Sequence, residues 1–264
     1  MKRKLLIICI CLFAIKGYTQ DSIVNYLDSA GNIVEKRLAI IKQVIIKKNS
    51  SWLERVYHVN GKIYYQGHFL DKKLSKKTGE FQYFNKKGEI SSIINFNING
   101  NNIYDGKYIK FLNKSKNVIG IYKNGVKYGV WYYYDLNGRK KARIVYKNDD
   151  VYKYDLWNEF GEKINEPLII DKKLEYIGGK KMLSKKIKKE LGNKLLKSKI
   201  KGNIFVVFKV TKDKKVIDLK ISKKMKEKYK TMIEDFFYGL DNWNPAINFN
   251  RKVISNFVFQ IQVK

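Results

Sequence analysis

Gly79-Glu-Phe-Gln-Tyr-Phe-Asn-Lys-Lys-Gly88 and Gly129-Val-Trp-Tyr-Tyr-Tyr-Asp-Leu-Asn-Gly138 can be laid over one another without a gap. Aromatic residues coincide at the third, fifth and sixth positions, as Phe81 with Trp131, Tyr83 with Tyr133 and Phe84 with Tyr134, and Asn85 falls on Asp135. A looser copy opens at Gly106-Lys-Tyr-Ile-Lys-Phe111, so successive openings lie 27 and 23 residues apart. Self-similarity at such a period marks a repeat architecture. Aromatic and polar residues alternate within each copy, which gives a strand one apolar face. Asn85–Gly88 and Asp135–Gly138 supply turns at one end, while Asn60-Gly61, Asn99-Gly100 and Asn124-Gly125 supply them at the other, where φ must be positive. One hairpin cannot bury its own face, so the units are expected to stack into a single sheet. Asp28-Ser-Ala-Gly-Asn32, followed by Ile33 and Val34, reads as an earlier hairpin and carries the β region back to about Asp21.

The chain around this block has 264 residues, with 44% hydrophobic and 14% aromatic. That content excludes a disordered polyelectrolyte, which cannot bury enough apolar surface to order itself. Two Cys and two His leave almost no stock for structural zinc or for a disulfide scaffold. Lys and Arg number 55 against 24 Asp and Glu, a net +31 that invites nucleic acid, anionic lipid or an acidic polymer as partner, although the joint abundance of Lys, Ile, Asn and Tyr is also what AT-rich coding produces. The excess is uneven: residues 172–264 hold 25 basic against 8 acidic residues, a net +17, and residues 21–171 a net +10.

Residues 1–20 read as a secretory signal peptide. Met1-Lys-Arg-Lys4 is a positive start, Leu5–Ile15 an apolar run, and Gly17 and Thr19 are small residues near a cleavage point. Eleven helical residues reach about 16 Å, short of the roughly 30 Å needed to span a bilayer. Cys9 and Cys11 both fall in this segment, and without a small residue just before either one it does not read as a lipoprotein signal. Export would leave a mature chain without cysteine and argues against nucleic acid as the partner.

From Tyr65-Gln-Gly67-His-Phe69, Ile119-Gly-Ile-Tyr-Lys-Asn-Gly125 and the two aligned blocks, the region resembles MORN-type repeats, in the YwqK-like variant of bacterial envelope proteins. The likeness covers about 110 residues and implies a stacked-hairpin scaffold; members of the wider group are described as protein- or lipid-binding scaffolds.

After Glu166-Pro-Leu168 the composition changes. Leu183, Ile187, Leu191 and Leu195 recur at helical spacing with Lys on the opposite face. Ile204, Val206, Phe208 and Val210 alternate as a strand, Lys212–Lys215 turns, and Val216–Ile221 is a second strand. Met225–Leu240 is expected to be helical and to stop at Trp243-Asn-Pro-Ala246, since Pro245 cannot extend a helix. Val253–Val263 is a last strand with Phe257, Phe259, Ile261 and Val263 on one face.

This α-β-β-α-β order, with Tyr176-Ile-Gly-Gly179, the Gly202-to-Val210 strand, Trp243, Pro245 and Ala246, and the closing Phe257–Ile261, resembles the C-terminal domain of TonB over residues 174–263. The resemblance implies a Gram-negative envelope protein whose last strand is an exposed edge. An extended peptide of an outer-membrane transporter would pair with that edge by strand addition. The implied surface is Asn256, Phe257, Val258, Phe259, Gln260, Ile261 and Gln262, with Arg251 and Lys252 close by. Two Pro residues cannot form the long extended spacer of an energy transducer, so the domain reads as an interaction module.

Neither His58 nor His68 has a ligand or catalytic partner at motif spacing, and no HExxH, CxxC, GxSxG, GxGxxG or Walker-type sequence occurs. His68 reads as a solvated strand residue and Asp149-Asp150 as a turn. The expectation is therefore a non-enzymatic protein without cofactor or metal. It comprises a signal peptide (1–20), a MORN-like β-hairpin repeat region (21–165), a linker (166–173) and a TonB-like α+β domain (174–264). Its expected role is protein binding in the periplasm or cell envelope, with a link to TonB-dependent transport. The alternative is electrostatic attachment to anionic lipid or lipopolysaccharide through the Lys-rich segments 180–199 and 223–230, with the repeats as a structural platform.

Overall fold

The computed structural model describes residues 22–197 and 200–263; the expected signal peptide lies outside them. Twelve strands pair in sequence order into one antiparallel sheet of consecutive hairpins. They are β1 (Ser22–Leu27), β2 (Ile41–Lys48), β3 (Ser51–His58), β4 (Ile63–Phe69), β5 (Lys77–Phe84), β6 (Ile90–Phe96), β7 (Tyr104–Leu112), β8 (Ser115–Lys123), β9 (Val126–Tyr134), β10 (Lys140–Lys147), β11 (Asp150–Trp157) and β12 (Lys163–Ile164). The rest is α+β, as expected: β13 (Asp171–Lys172), β14 (Glu175–Tyr176), α1 (Gly179–Leu196), β15 (Gly202–Val210), β16 (Val216–Ile221), α2 (Glu227–Tyr238), β17 (Trp243–Asn244), β18 (Ala246–Asn248), β19 (Arg251–Val253) and β20 (Ser255–Val263). By internal contacts the chain divides into two compact units, residues through 116 with 120–127, and 117–119 with 128–264.

In the first unit the repeat glycines have a specific task. Thr78 pairs with His68 and Phe81 with Gly67, so Gly79 and Glu80 are extra residues on β5. Gly79 takes φ +66, the left-handed value a bulge requires and a side chain resists. Gly106, at φ +108, does the same on β7, where Tyr104 to Tyr108 faces only Phe96 to Ile94. Gly67 differs: a Cβ there would come within 2.3 Å of the Phe81 ring, which lies across it. That close approach seats Phe81 fully buried against Phe69 and Phe96, with ring centroids 5.3 and 4.9 Å away.

Beside them Glu54 is only 3% exposed. Its carboxylate accepts hydrogen bonds from Gln43 Nε2 at 2.6 Å and the Tyr65 hydroxyl at 2.5 Å, which answers the cost of burying the charge. Burial and the neighbouring Glu54 push the Tyr65 phenol well above its ordinary value. His68 lies within β4, with Nδ1 3.0 Å from Ser51 Oγ, and burial lowers its pKa.

The hairpin ends close as the Asx-x-x-Gly spacing implies, except that Asn60-Gly61, joining β3 to β4, lies at the same end of the sheet as Asn85–Gly88 and Asp135–Gly138 and not at the opposite one, because connections in sequence order alternate ends. Gly88 N–H donates to Asn85 O, while Asn85 Oδ1 accepts from the Lys87 and Glu89 amides. Asp135–Gly138 repeats this geometry. So does Asn158–Gly161, a turn outside both aligned blocks. At the start, Asp28–Gly31 closes the same turn, but Ile33 makes one bridge to Leu27 before the chain runs on to β2.

In the second unit, Trp131, Ala142, Ile144, Tyr146 and Leu156 are buried on β9–β11. The α+β part packs α1 and α2 on the sheet β16-β15-β20 around Leu183, Ile204, Val206, Phe208, Ile233, Phe237 and Trp243. Pro245 does not end α2. The helix stops at Tyr238 with Gly239 as its C-cap, whose N–H donates to Asp235 O while the Leu240 N–H donates to Phe237 O, and Pro245 follows later between β17 and β18. Asp149, at φ +68, lies in the β10–β11 turn, and Asp150 opens β11.

Candidate peptide-pairing edge

The candidate edge follows from register. β15 is the central strand, paired with β16 on one side and along its whole length with β20 on the other, from Gly202 with Val263 to Val210 with Ser255. Ser222 N–H donates to Phe205 O, and Phe205 N–H to Ser222 Oγ, so the Phe205 backbone faces β16. Backbone direction alternates along an antiparallel strand. Ile204, Val206 and Phe208 therefore face β20, and exchange hydrogen bonds with Ile261, Phe259 and Phe257. By the same alternation, the N–H and C=O groups of Asn256, Val258, Gln260 and Gln262 point to the far side. Among the described residues, no strand pairs there.

The seven residues singled out from the sequence thus fall into two sets. Phe257, Phe259 and Ile261 spend their backbone on β15 and send side chains into the core, where Phe259 and Ile261 are buried. Asn256, Val258, Gln260 and Gln262 have exposed side chains and carry the outward backbone. Phe205 and Val207 lie beside Gln260 and Val258 on the open face, both partly exposed.

The structural motif supports this edge from beneath. Trp243 is fully buried, its ring 5.0 Å from both Tyr176 and Phe257, and its indole N–H donates to Leu240 O at 3.3 Å. Ala246 is buried and pairs with Val253, which places β19 just before β20. Gly202 takes φ +89 where β15 starts opposite Val263.

Arg251 has a different task from the one its position suggests. Its guanidinium donates to Trp157 O at 2.9 Å, Asp135 Oδ2 at 2.8 Å and Lys140 O at 2.6 Å, with only 10% of the side chain exposed. Burial raises the Asp135 carboxyl, but the Arg139 amide and the Arg251 guanidinium hold it below its ordinary value. The same turn carries Phe249 at φ +50 and Asn250 at φ +59. The Phe249 ring packs 4.2 Å from Tyr133, and Asn250 Nδ2 donates to Pro167 O while its Oδ1 accepts from Ile169 N–H. The stretch expected as a linker is thereby laced to the β18–β19 turn, and β13 within it pairs with β18.

Among the described residues, no group of three or more His, Cys, Asp or Glu side chains could hold a metal ion. No helix there is long and apolar enough to cross a membrane. No protein-family model matches the chain, and no curated protein matches it either.

Proposed function

We propose that this protein is an exported envelope component that binds an extended segment of a protein partner by adding it as a strand beside β20. The observation that carries this reading is the row of outward backbone groups on Asn256, Val258, Gln260 and Gln262, held straight by the continuous β15 pairing on the other side. Main-chain hydrogen bonds would supply affinity, and the alternating exposed side chains, with Phe205 and Val207 beyond them, would supply selectivity. The resemblance to the TonB C-terminal domain supports an outer-membrane transporter as the partner, and residues 1–20 support delivery to the periplasm. The hairpin array serves as the platform.

The test is a titration of the full chain with TonB-box-like extended peptides, followed by backbone amide NMR. Shifts concentrated in residues 255–263 support strand addition. Saturating peptide that leaves those amides unmoved excludes it.

A further inference from the structure

Away from the β20 edge, α1 and α2 lie side by side with a groove of about 570 Å³ between them, lined in part by Leu191, Met232 and Phe236. At one end it opens into a second hollow of about 250 Å³, walled by Lys194, Lys197, Lys228, Tyr229 and Met232. The two ends differ in charge. Glu190 and Asp235 stand with Lys194 and Lys228 in the larger part, whereas the smaller hollow has three lysines and no acid.

The local geometry holds this basic end together. The Tyr229 hydroxyl donates to Lys197 O at 3.3 Å, joining the start of α2 to the end of α1, and Lys228 Nζ stands 4.9 Å over the Tyr229 ring. Lys230, on the same turn, is already paired with Glu227. Among the described residues, Lys194, Lys197 and Lys228 make no ion pair. The helical layer also exposes Lys180, Lys181, Lys185, Lys188 and Lys189 along α1, with Met182, Leu196 and Tyr238 protruding between the charges.

We infer that this helical layer docks on an anionic phospholipid surface, with the Lys194–Lys197–Lys228 hollow receiving a headgroup. Charge complementarity selects the occupant. Lysines spread along a whole helix match a plane of negative headgroups, and exposed apolar side chains among them match the acyl boundary beneath. The inference is independent of strand addition, because it uses the helices and leaves the β20 edge open.

The test compares vesicles of phosphatidylcholine with and without phosphatidylglycerol at about 0.15 M salt, where charges more than about 8 Å apart are largely screened. The proteins are the full chain, the groove variant K194E/K197E/K228E, its milder form K194Q/K197Q/K228Q, and the array variant K86E/K87E/K116E, which changes charge equally but elsewhere. Circular dichroism checks each fold, and any contribution from the apolar run Leu5–Ile15 is common to every arm. The expected result is much tighter binding to the anionic vesicles than to phosphatidylcholine alone. At about one kcal/mol per lysine near such a surface, the groove variant should bind about a hundredfold more weakly. The glutamine form should fall in the same direction and the array variant should change little. Equal losses in the groove and array variants, or wild-type binding to phosphatidylcholine alone that is as tight as binding to the anionic vesicles, would overturn the inference. So would a polyglutamate peptide that binds as tightly as the vesicles and depends on the same lysines, since the groove would then be a site for acidic chains.

Discussion

Apart from Tyr133 against Phe249, ring contacts in the hairpin array stay within a strand or reach the next one, whereas in the α+β module rings from distant stretches of chain meet in one closed core. Phe69, Phe81 and Phe96 come from three successive strands. Trp243 instead touches Tyr176, Phe208 and Phe257. The array is therefore locally determined: each strand's partner is the next one along, and damage to one hairpin need not spread. The module closes only when its last strand returns to β15, so its core is lost as a unit. That same late return leaves β20 at the rim of the sheet.

The largest effect should come from the module's shared core. Trp243→Ala removes a fully buried indole and should cost about 3–5 kcal/mol in urea unfolding. An equal loss confined to one or two amides in hydrogen exchange would contradict a cooperative core.

Arg251→Ala tests the clamp between the β18–β19 turn and the β9–β11 hairpins. It removes three hydrogen bonds from a nearly buried cation, for an expected cost of about 1.5–3 kcal/mol. Exchange should quicken at β18 and β19 first. The clamp also carries a pH signature. Asp135 has a depressed carboxyl pKa, so its contribution is present above the ordinary value of 3.8 and is lost as the pH falls below it. That acid loss should be smaller in the Arg251→Ala protein.

Within the array, Gly67→Ala drives a methyl group into the Phe81 ring and should cost about 1–3 kcal/mol by overpacking. Exchange should quicken in β3–β6 while the module stays protected, and spread into β15 or β20 would break the comparison. Asn85→Ala should have the smallest effect, about 1 kcal/mol, through loss of two side-chain acceptances at one turn.

The difference between the regions also explains how much the sequence disclosed. The array was legible because strand, turn and partner all lie within a short window, and Asx-x-x-Gly turns recur with the same bonds. Gly79 and Gly106 were visible as repeat markers, but not as bulges, which depend on the strand opposite. The β18–β19 turn was hidden for a physical reason. Its left-handed φ values fall on Phe249 and Asn250, with no glycine to announce them. Such a conformation costs of order 1–3 kcal/mol and persists when its surroundings over-determine it, here through the Tyr133 contact and the Asn250 side-chain bonds. The alternating side chains of β20 were equally legible. Which of its amides turn outward was not, because that depends on the Phe205–Ser222 bonds on the far side of β15.

The most direct measurement is residue-resolved hydrogen exchange along β20, with and without an extended peptide. In the free protein, the amides of Phe257, Phe259 and Ile261 should be protected and those of Asn256, Val258, Gln260 and Gln262 should exchange fast. Saturating peptide should then protect the second set. Uniform protection of all seven in the free protein, or an unchanged second set with peptide bound, would contradict the account.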